Sequence, residues 1–170
     1  VQIKTKTTVL SKQLKVLSAD ADGSYGIRST DRDVSLGRAD VYKIQSVFDS
    51  RDTSADAAAP ELTLTTVSGT FLKGEKITGS VTKATGRIID TTSPMSYVAL
   101  TPTDFTTSDT ITGSSSGATA TVSEVTDGSI AITNRYALDT GMRDNFYDIA
   151  RIVRLDDCRF IYRRCITNDV

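Results

Sequence analysis

The side chains with the most chemistry in them are acidic. Asp20 and Asp22, Asp31 and Asp33, and Asp156 and Asp157 stand as adjacent or alternate pairs, and two neighbouring carboxyls are what a glycosidase uses as acid and as base or nucleophile. All three pairs lie in turn-like sequence, where carboxylates are ordinarily solvated. The chain has no histidine, so neither a Ser-His-Asp triad nor a Cys-His couple can be assembled. Gly74-Glu75-Lys76 lacks the spacing of a phosphate-binding loop. Asp20-Ala21-Asp22-Gly23 resembles the start of a calcium loop, but the third acidic ligand and the distal glutamate are missing, so it reads as an Asx-type turn. Cys158 and Cys165 could pair across a hairpin; without histidine or a second cysteine pair they do not make a zinc site, and the simplest reading is two free thiols. No enzyme, no cofactor and no metal site is expected.

The composition points the same way. With 20 Lys and Arg against 21 Asp and Glu, the net charge is −1, which gives no electrostatic reason to expect nucleic acid or an anionic membrane as partner. No apolar run approaches the roughly 20 residues that span a bilayer. The 170 residues are enough for one domain or two small ones with a real core. Abundant Thr and Ser, no Trp and no long amphipathic helical pattern argue for a mainly β protein. The chain opens on Val1 rather than Met, which suggests processing or a piece of a longer polypeptide.

What must position any function is a repeat. From Phe71 the chain reads FLKGEKITGSVTKATGRI, and 34 positions later, from Phe105, it reads FTTSDTITGSSSGATATV. The gapless match has seven identities in eighteen, with Glu75 over Asp109 and Ile88 over Val122. Duplication explains this better than chance, because one unit of this size seldom buries its own apolar face. In each copy an aromatic precedes a short β-branched strand, then Gly79-Ser80 or Gly113-Ser114 marks a turn. Glycine at that point suggests positive φ. A second strand follows, and each copy is expected to continue into a further hairpin. The first hairpin would run from Ile88-Ile89 to Tyr97–Leu100, the second from Val122 to Ile130–Ile132 through Asp127-Gly128, a favoured hairpin turn. The fold expected is a small, internally duplicated β-barrel or sandwich, with Phe71 and Phe105 as plugs.

Around the repeat, residues 1–17 suggest a strand, 25–38 a polar stretch, and 39–48 one strong strand. The small, acidic run from Asp49 to Pro60 reads as a linker. After the repeat, Phe146, Ile149, Ile152 and Val153 have helical spacing. The alternative is a polar loop through Gly141–Asn145, held by Arg–carboxylate pairs, then a strand at 149–155 with Phe160–Tyr162 as its hairpin partner. The simplest organisation inserts the duplicated module, 60–128, between two halves, 1–55 and 129–170, of a split β-sandwich-like domain.

The stretch Tyr136-Ala-Leu-Asp-Thr-Gly-Met-Arg-Asp-Asn-Phe-Tyr-Asp-Ile-Ala-Arg-Ile resembles the Y-x-L-D-x-G-Q-R-D-N-x-Y-D signature of large tail-associated virion structural proteins of tailed bacteriophages, of the T4-like type found in phages of cyanobacteria. The F-x-x-G-E-x-I-x-G-x-x-x-x-A-T-G repeat resembles a β module common in phage tail, fibre and baseplate proteins. Together the resemblances cover about residues 38–155. The chain departs from the pattern at Met142, where the family has Gln, and at Ala120, where the first copy has Gly86. The resemblance implies a virion part made in the host cytoplasm, with other tail proteins as partners and a trimeric or sixfold homo-oligomer by analogy. It supplies no catalytic residues. The assembly candidates are Phe71, Gly79, Phe105, Gly113, Asp139, Arg143, Asp144, Asn145 and Asp148. The competing expectation is a host-surface glycan-binding module, which would present Tyr97 and its neighbours in a shared groove.

Overall fold

β-Branched and apolar residues at inward positions shape the strands of the computed structural model, which describes residues 31–39, 41–52, 55–144, 146 and 148–155. The expectations for residues 1–17, the Asp20–Gly23 turn, Asn145, Phe160–Tyr162 and the two cysteines lie outside the described residues. The described chain is mainly β. Its eleven strands are β1 (Asp33–Ser35), β2 (Phe48–Asp49), β3 (Glu61–Ser68), β4 (Lys76–Gly79), β5 (Thr85–Asp90), β6 (Met95–Ala99), β7 (Thr110–Gly113), β8 (Thr119–Thr126), β9 (Ile130–Ala131), β10 (Tyr136–Asp139) and β11 (Arg151–Arg154), with one 3-10 turn at Thr133–Arg135. It divides into two compact units: one contiguous, Ala57–Ile130, and one built from the described residues of 31–56 and 131–155.

The contiguous unit is a closed six-stranded barrel in the order β3-β6-β5-β4-β7-β8. Each strand turns one face inward every second residue. Ile77, Ile88, Ile111 and Leu62 are fully buried, with Val122 and Ala120 beside them. Each large aliphatic side chain removed from water in this way contributes about 2 kcal/mol. Phe71 and Phe105 are both buried in the same core. Phe105 meets the edge of Tyr97 at a centroid distance of 5.3 Å and an interplanar angle of 83°, a favourable edge-to-face geometry. Gly86 makes room for that pair: a Cβ there would lie 2.7 Å from Tyr97 Cδ2 and 3.3 Å from Phe105 Cε2.

The barrel corrects the expected phase of the repeat. β3 and β6 flank the two central hairpins symmetrically, β3 on β8 and β6 on β5. The ladders match in register: Leu64 faces Val122 as Tyr97 faces Ile88, and Thr63 faces Glu124 as Ser96 faces Asp90, so β3 corresponds to β6 at an offset of 33 residues rather than 34. One repeat is therefore β3-β4-β5 and the next β6-β7-β8, and each sends its first strand across to the other's last. The expected hairpin from Val122 to Ile132 does not form, because β3 already occupies the edge of β8. Beyond β8, Gly128 packs so tightly on Pro60 that a Cβ would clash with the Pro60 ring and backbone. Ser129 N–H donates to the Ala58 carbonyl at 2.8 Å, and Ala58 N–H donates to Ser129 Oγ at 3.0 Å. The Asp-Gly turn signal loses to this pairing.

In the other unit, β11 lies between β1 and β10, antiparallel to both. Ile152 sits opposite Val34 on one side and Leu138 on the other, which puts three apolar side chains in one row across the sheet. Of the two readings for 146–153, the loop followed by a strand is the observed one. Phe146 and Ile149 are exposed whereas Ile152 is buried. Both edges of β11 are taken, by β1 and β10. The polar stretch 25–38 contains a strand that was not expected, β1, nucleated by the single buried Val34. Residues 39–48 do not form one long strand; only Phe48 joins a strand. A β pattern needs a ladder partner, and here Val47 N–H donates at 2.9 Å to the Thr133 hydroxyl instead, while the Val47 carbonyl accepts from Ile132 N–H at 2.8 Å.

Candidate functional site

Two buried carboxylates hold the barrel together, and each belongs to one repeat while holding the turn of the other. Glu75 accepts from its own repeat at Leu72 N–H, 2.6 Å, and from the second repeat at Ser115 N–H, 3.0 Å, Ser116 N–H, 3.0 Å, and Ser116 Oγ, 2.9 Å. Asp109 accepts from its own repeat at Thr106 N–H, 3.0 Å, and from the first repeat at Val81 N–H, 2.8 Å, Thr82 N–H, 3.0 Å, and Thr82 Oγ1, 2.7 Å. Every donor of one set lies 34 positions from its counterpart in the other. The backbone obeys the same symmetry: Gly79 N–H bonds Ala84 and Gly113 N–H bonds Ala118, both at 2.9 Å, while Ile88 bonds the Glu75 carbonyl and Val122 the Asp109 carbonyl, both at 3.0 Å.

These are the buried charged residues among those described, Asp109 at 0% exposure and Glu75 at 6%. Burial by itself raises each pKa. For Glu75 the N–H groups of Leu72, Ser116 and Ser115 and the Ser116 hydroxyl outweigh it, and for Asp109 the Thr82 hydroxyl and the N–H groups of Thr106, Thr82 and Val81 do the same. Both carboxyls titrate below their ordinary range. No buried side-chain nitrogen or oxygen lacks a partner among the described residues.

The crossed carboxylates explain the two glycines differently from the positive φ expected of them. Neither Gly79 nor Gly113 has left-handed backbone. Instead, a Cβ on Gly79 would lie 2.7 Å from Asp109 Oδ1, and one on Gly113 would lie 2.8 Å from Glu75 Oε1. Glycine is there so that the other repeat's carboxylate can reach the turn. The left-handed position comes four residues later, at Lys83, φ 59°, and Gly117, φ 67°. Sequence aligned Glu75 with Asp109 but did not single them out. The usable signal was an acid at the same place in both copies, one step before the strand.

Asp139, Arg143 and Asp148 come together in the other unit. Arg143 donates to both oxygens of Asp139, at 3.0 and 2.9 Å. Arg151, directly opposite Asp139 in the ladder, adds a bond from Nε at 3.0 Å. Gly141 N–H reaches Asp139 Oδ1 at 3.0 Å, and Asp148 approaches Arg143 at 3.9 Å. Arg143 and the Gly141 N–H, with Arg151, hold the Asp139 carboxyl well below the usual carboxylate range, and Asp139 in turn raises the Arg143 pKa. Gly141, at φ 75°, lets Asp148 N–H bond back to its carbonyl at 2.8 Å, where any side chain would strike the Asp148 carbonyl. Asp144 is exposed and is not part of this clamp. Met142, the departure from the phage signature, is 64% exposed, so the clamp does not depend on the residue at that position. No cluster of three or more metal-ligating side chains occurs among the described residues.

Comparison with protein-family models, curated proteins and solved structures found no match to this chain.

Proposed function

We propose that this chain is a non-enzymatic structural module of a phage tail, baseplate or tail-fibre protein, acting in assembly within the virion. The observation that carries the reading is how its acids are used. Glu75, Asp109 and Asp139 each accept three or more hydrogen bonds from the chain's own backbone and side chains. A catalytic carboxyl needs an open valence toward substrate; these three are committed to holding loops. The resemblance of Tyr136–Ile152 to the phage signature supplies the biological setting. Its Asp139, Gly141, Arg143 and Asp148 are the residues that clamp the loop, so the signature reads as a structural one.

The glycan-binding alternative named Tyr97 as its stacking residue. Tyr97 is 3% exposed and packed on Phe105, so it is not available to a sugar in this conformation.

Peptide mass spectrometry on purified particles from the source tests the proposal. Peptides of this chain in fixed stoichiometry with tail proteins are expected. Their absence from particles, with the free protein present in the lysate, would overturn it.

A further inference from the structure

We propose that the barrel opens along one seam, between β3 and β6, with β6 parting from β3 while β3 stays on β8. The six seams are unequal. Against β8, β3 pairs from Glu61↔Thr126 to Ser68↔Thr119. That seam is reinforced where Ser123 Oγ donates to the Thr63 carbonyl at 2.9 Å and where Ala58 and Ser129 exchange hydrogen bonds. The β4–β7 seam has three residue pairs and is riveted by both crossed carboxylates. Ser80 N–H to the Thr110 carbonyl at 3.1 Å and Ser114 N–H to the Lys76 carbonyl at 2.8 Å extend it at its two ends.

The β3–β6 seam holds only Glu61↔Ser96 and Leu62↔Met95, extended by Tyr97 N–H to the Pro60 carbonyl at 3.0 Å. Its shortness has a cause in sequence. Pro60 and Pro94 bound the two pairs on either side, 34 residues apart, and proline has no N–H to lengthen a ladder. One proline thus sits at each end of the same seam. Beyond Leu62, β3 is irregular. Its register slips between Thr63 and Leu64 and again between Thr65 and Ser68, and Thr66 takes left-handed backbone at φ 51°. The barrel's closing contact is its shortest ladder, and separation there bares Leu62, Met95 and Tyr97 while leaving the β4–β7 rivets intact.

Amide hydrogen exchange on the full chain, resolved by NMR, tests this. Tyr97 N–H reports the β3–β6 seam directly, and Gly79 and Gly113 N–H report the riveted centre. The Tyr97 amide is expected to exchange at least about tenfold faster than both glycines under native conditions, as a sub-global opening does. In a background with Cys158 and Cys165 replaced by serine, a Glu61→Cys/Ser96→Cys crosslink, when oxidised, should slow Tyr97 by about tenfold or more and leave the glycines unchanged. Equal protection at the three amides in the wild-type chain would overturn the proposal, as would a formed crosslink that leaves Tyr97 exchange unaltered. The wild-type comparison decides the matter if the variant fails to fold.

Discussion

Glu75 and Asp109 in the barrel, and Asp139 in the flanking unit, use one device in two settings. Each is a carboxylate that gathers donors from separated parts of the chain and so fixes a loop. In the barrel the donors are mainly backbone N–H groups and the acids are buried; in the flanking unit they are mainly arginine side chains, with Asp139 and Arg143 partly in water. The difference decides what each is worth. A buried carboxylate that gathers three N–H groups and a hydroxyl makes charge-assisted hydrogen bonds shielded from water. A half-exposed guanidinium that loses its carboxylate is simply hydrated. The barrel acids are therefore keystones of the fold, and the Asp139 clamp is a local brace.

Removing a keystone should have the largest effect. Asp109→Ala removes the charged acceptor shared by Val81, Thr82 and Thr106, and the barrel's unfolding free energy, followed by urea denaturation, should fall by about 3–5 kcal/mol. Glu75→Ala should match it through Leu72, Ser115 and Ser116. Phe105→Ala, which empties the site beside Tyr97, belongs in the same range of about 3–5 kcal/mol. If Asp109→Ala cost no more than an exposed ion pair, the comparison would break.

Smaller effects sharpen it. Gly113→Ala drives a methyl toward the Glu75 carboxylate and should cost about 1–3 kcal/mol by crowding, even though its backbone angles suit alanine. The pH dependence follows in sign from the lowered carboxyls. Because folded Glu75 and Asp109 hold protons more weakly than the unfolded chain does, acid favours unfolding. Their contribution is complete above the ordinary carboxylate pKa of about 4 and is lost as pH falls through the lower folded values. Urea midpoints should therefore drop from pH 7 to pH 3, and less so in Asp109→Asn. Lys83→Gly should stabilise the barrel by about 1 kcal/mol, visible as a raised Tm, since Lys83 occupies the left-handed conformation that its counterpart Gly117 fills without strain. Arg143→Ala should leave the barrel's transition where it is and speed amide exchange only at Gly141–Asp148.

The duplicated barrel was legible because two copies of one pattern cannot both be accidents, and because glycine, acid and aromatic recur at a fixed spacing. Its phase was not. The first strands correspond at an offset of 33 residues, with Leu62 over Met95 and Leu64 over Tyr97, so a gapless match at 34 misses them, while Asp127-Gly128 gives a strong local signal for a hairpin that the Pro60 contact overrides. That Arg–carboxylate pairs hold the 141–145 loop was readable from the local cluster of Arg and Asp; that Arg143 takes Asp139, at the end of β10, was not. The crossed carboxylates were not, because their cross-repeat donors lie 27 to 41 residues away and only the closed barrel brings them in. The stretch 39–48 shows the converse: among the described residues a good strand pattern stays irregular except at its end, where Phe48 joins the short ladder with β9.

The central claim is that each repeat's acid holds the other repeat's turn, and backbone amide shifts read this directly. In 15N-resolved spectra, Asp109→Asn should move the amides of Val81 and Thr82, 28 and 27 residues upstream, and leave Ser115 and Ser116 in place. Glu75→Gln should do the reverse. Perturbations confined to the mutated residue's own repeat would contradict the account.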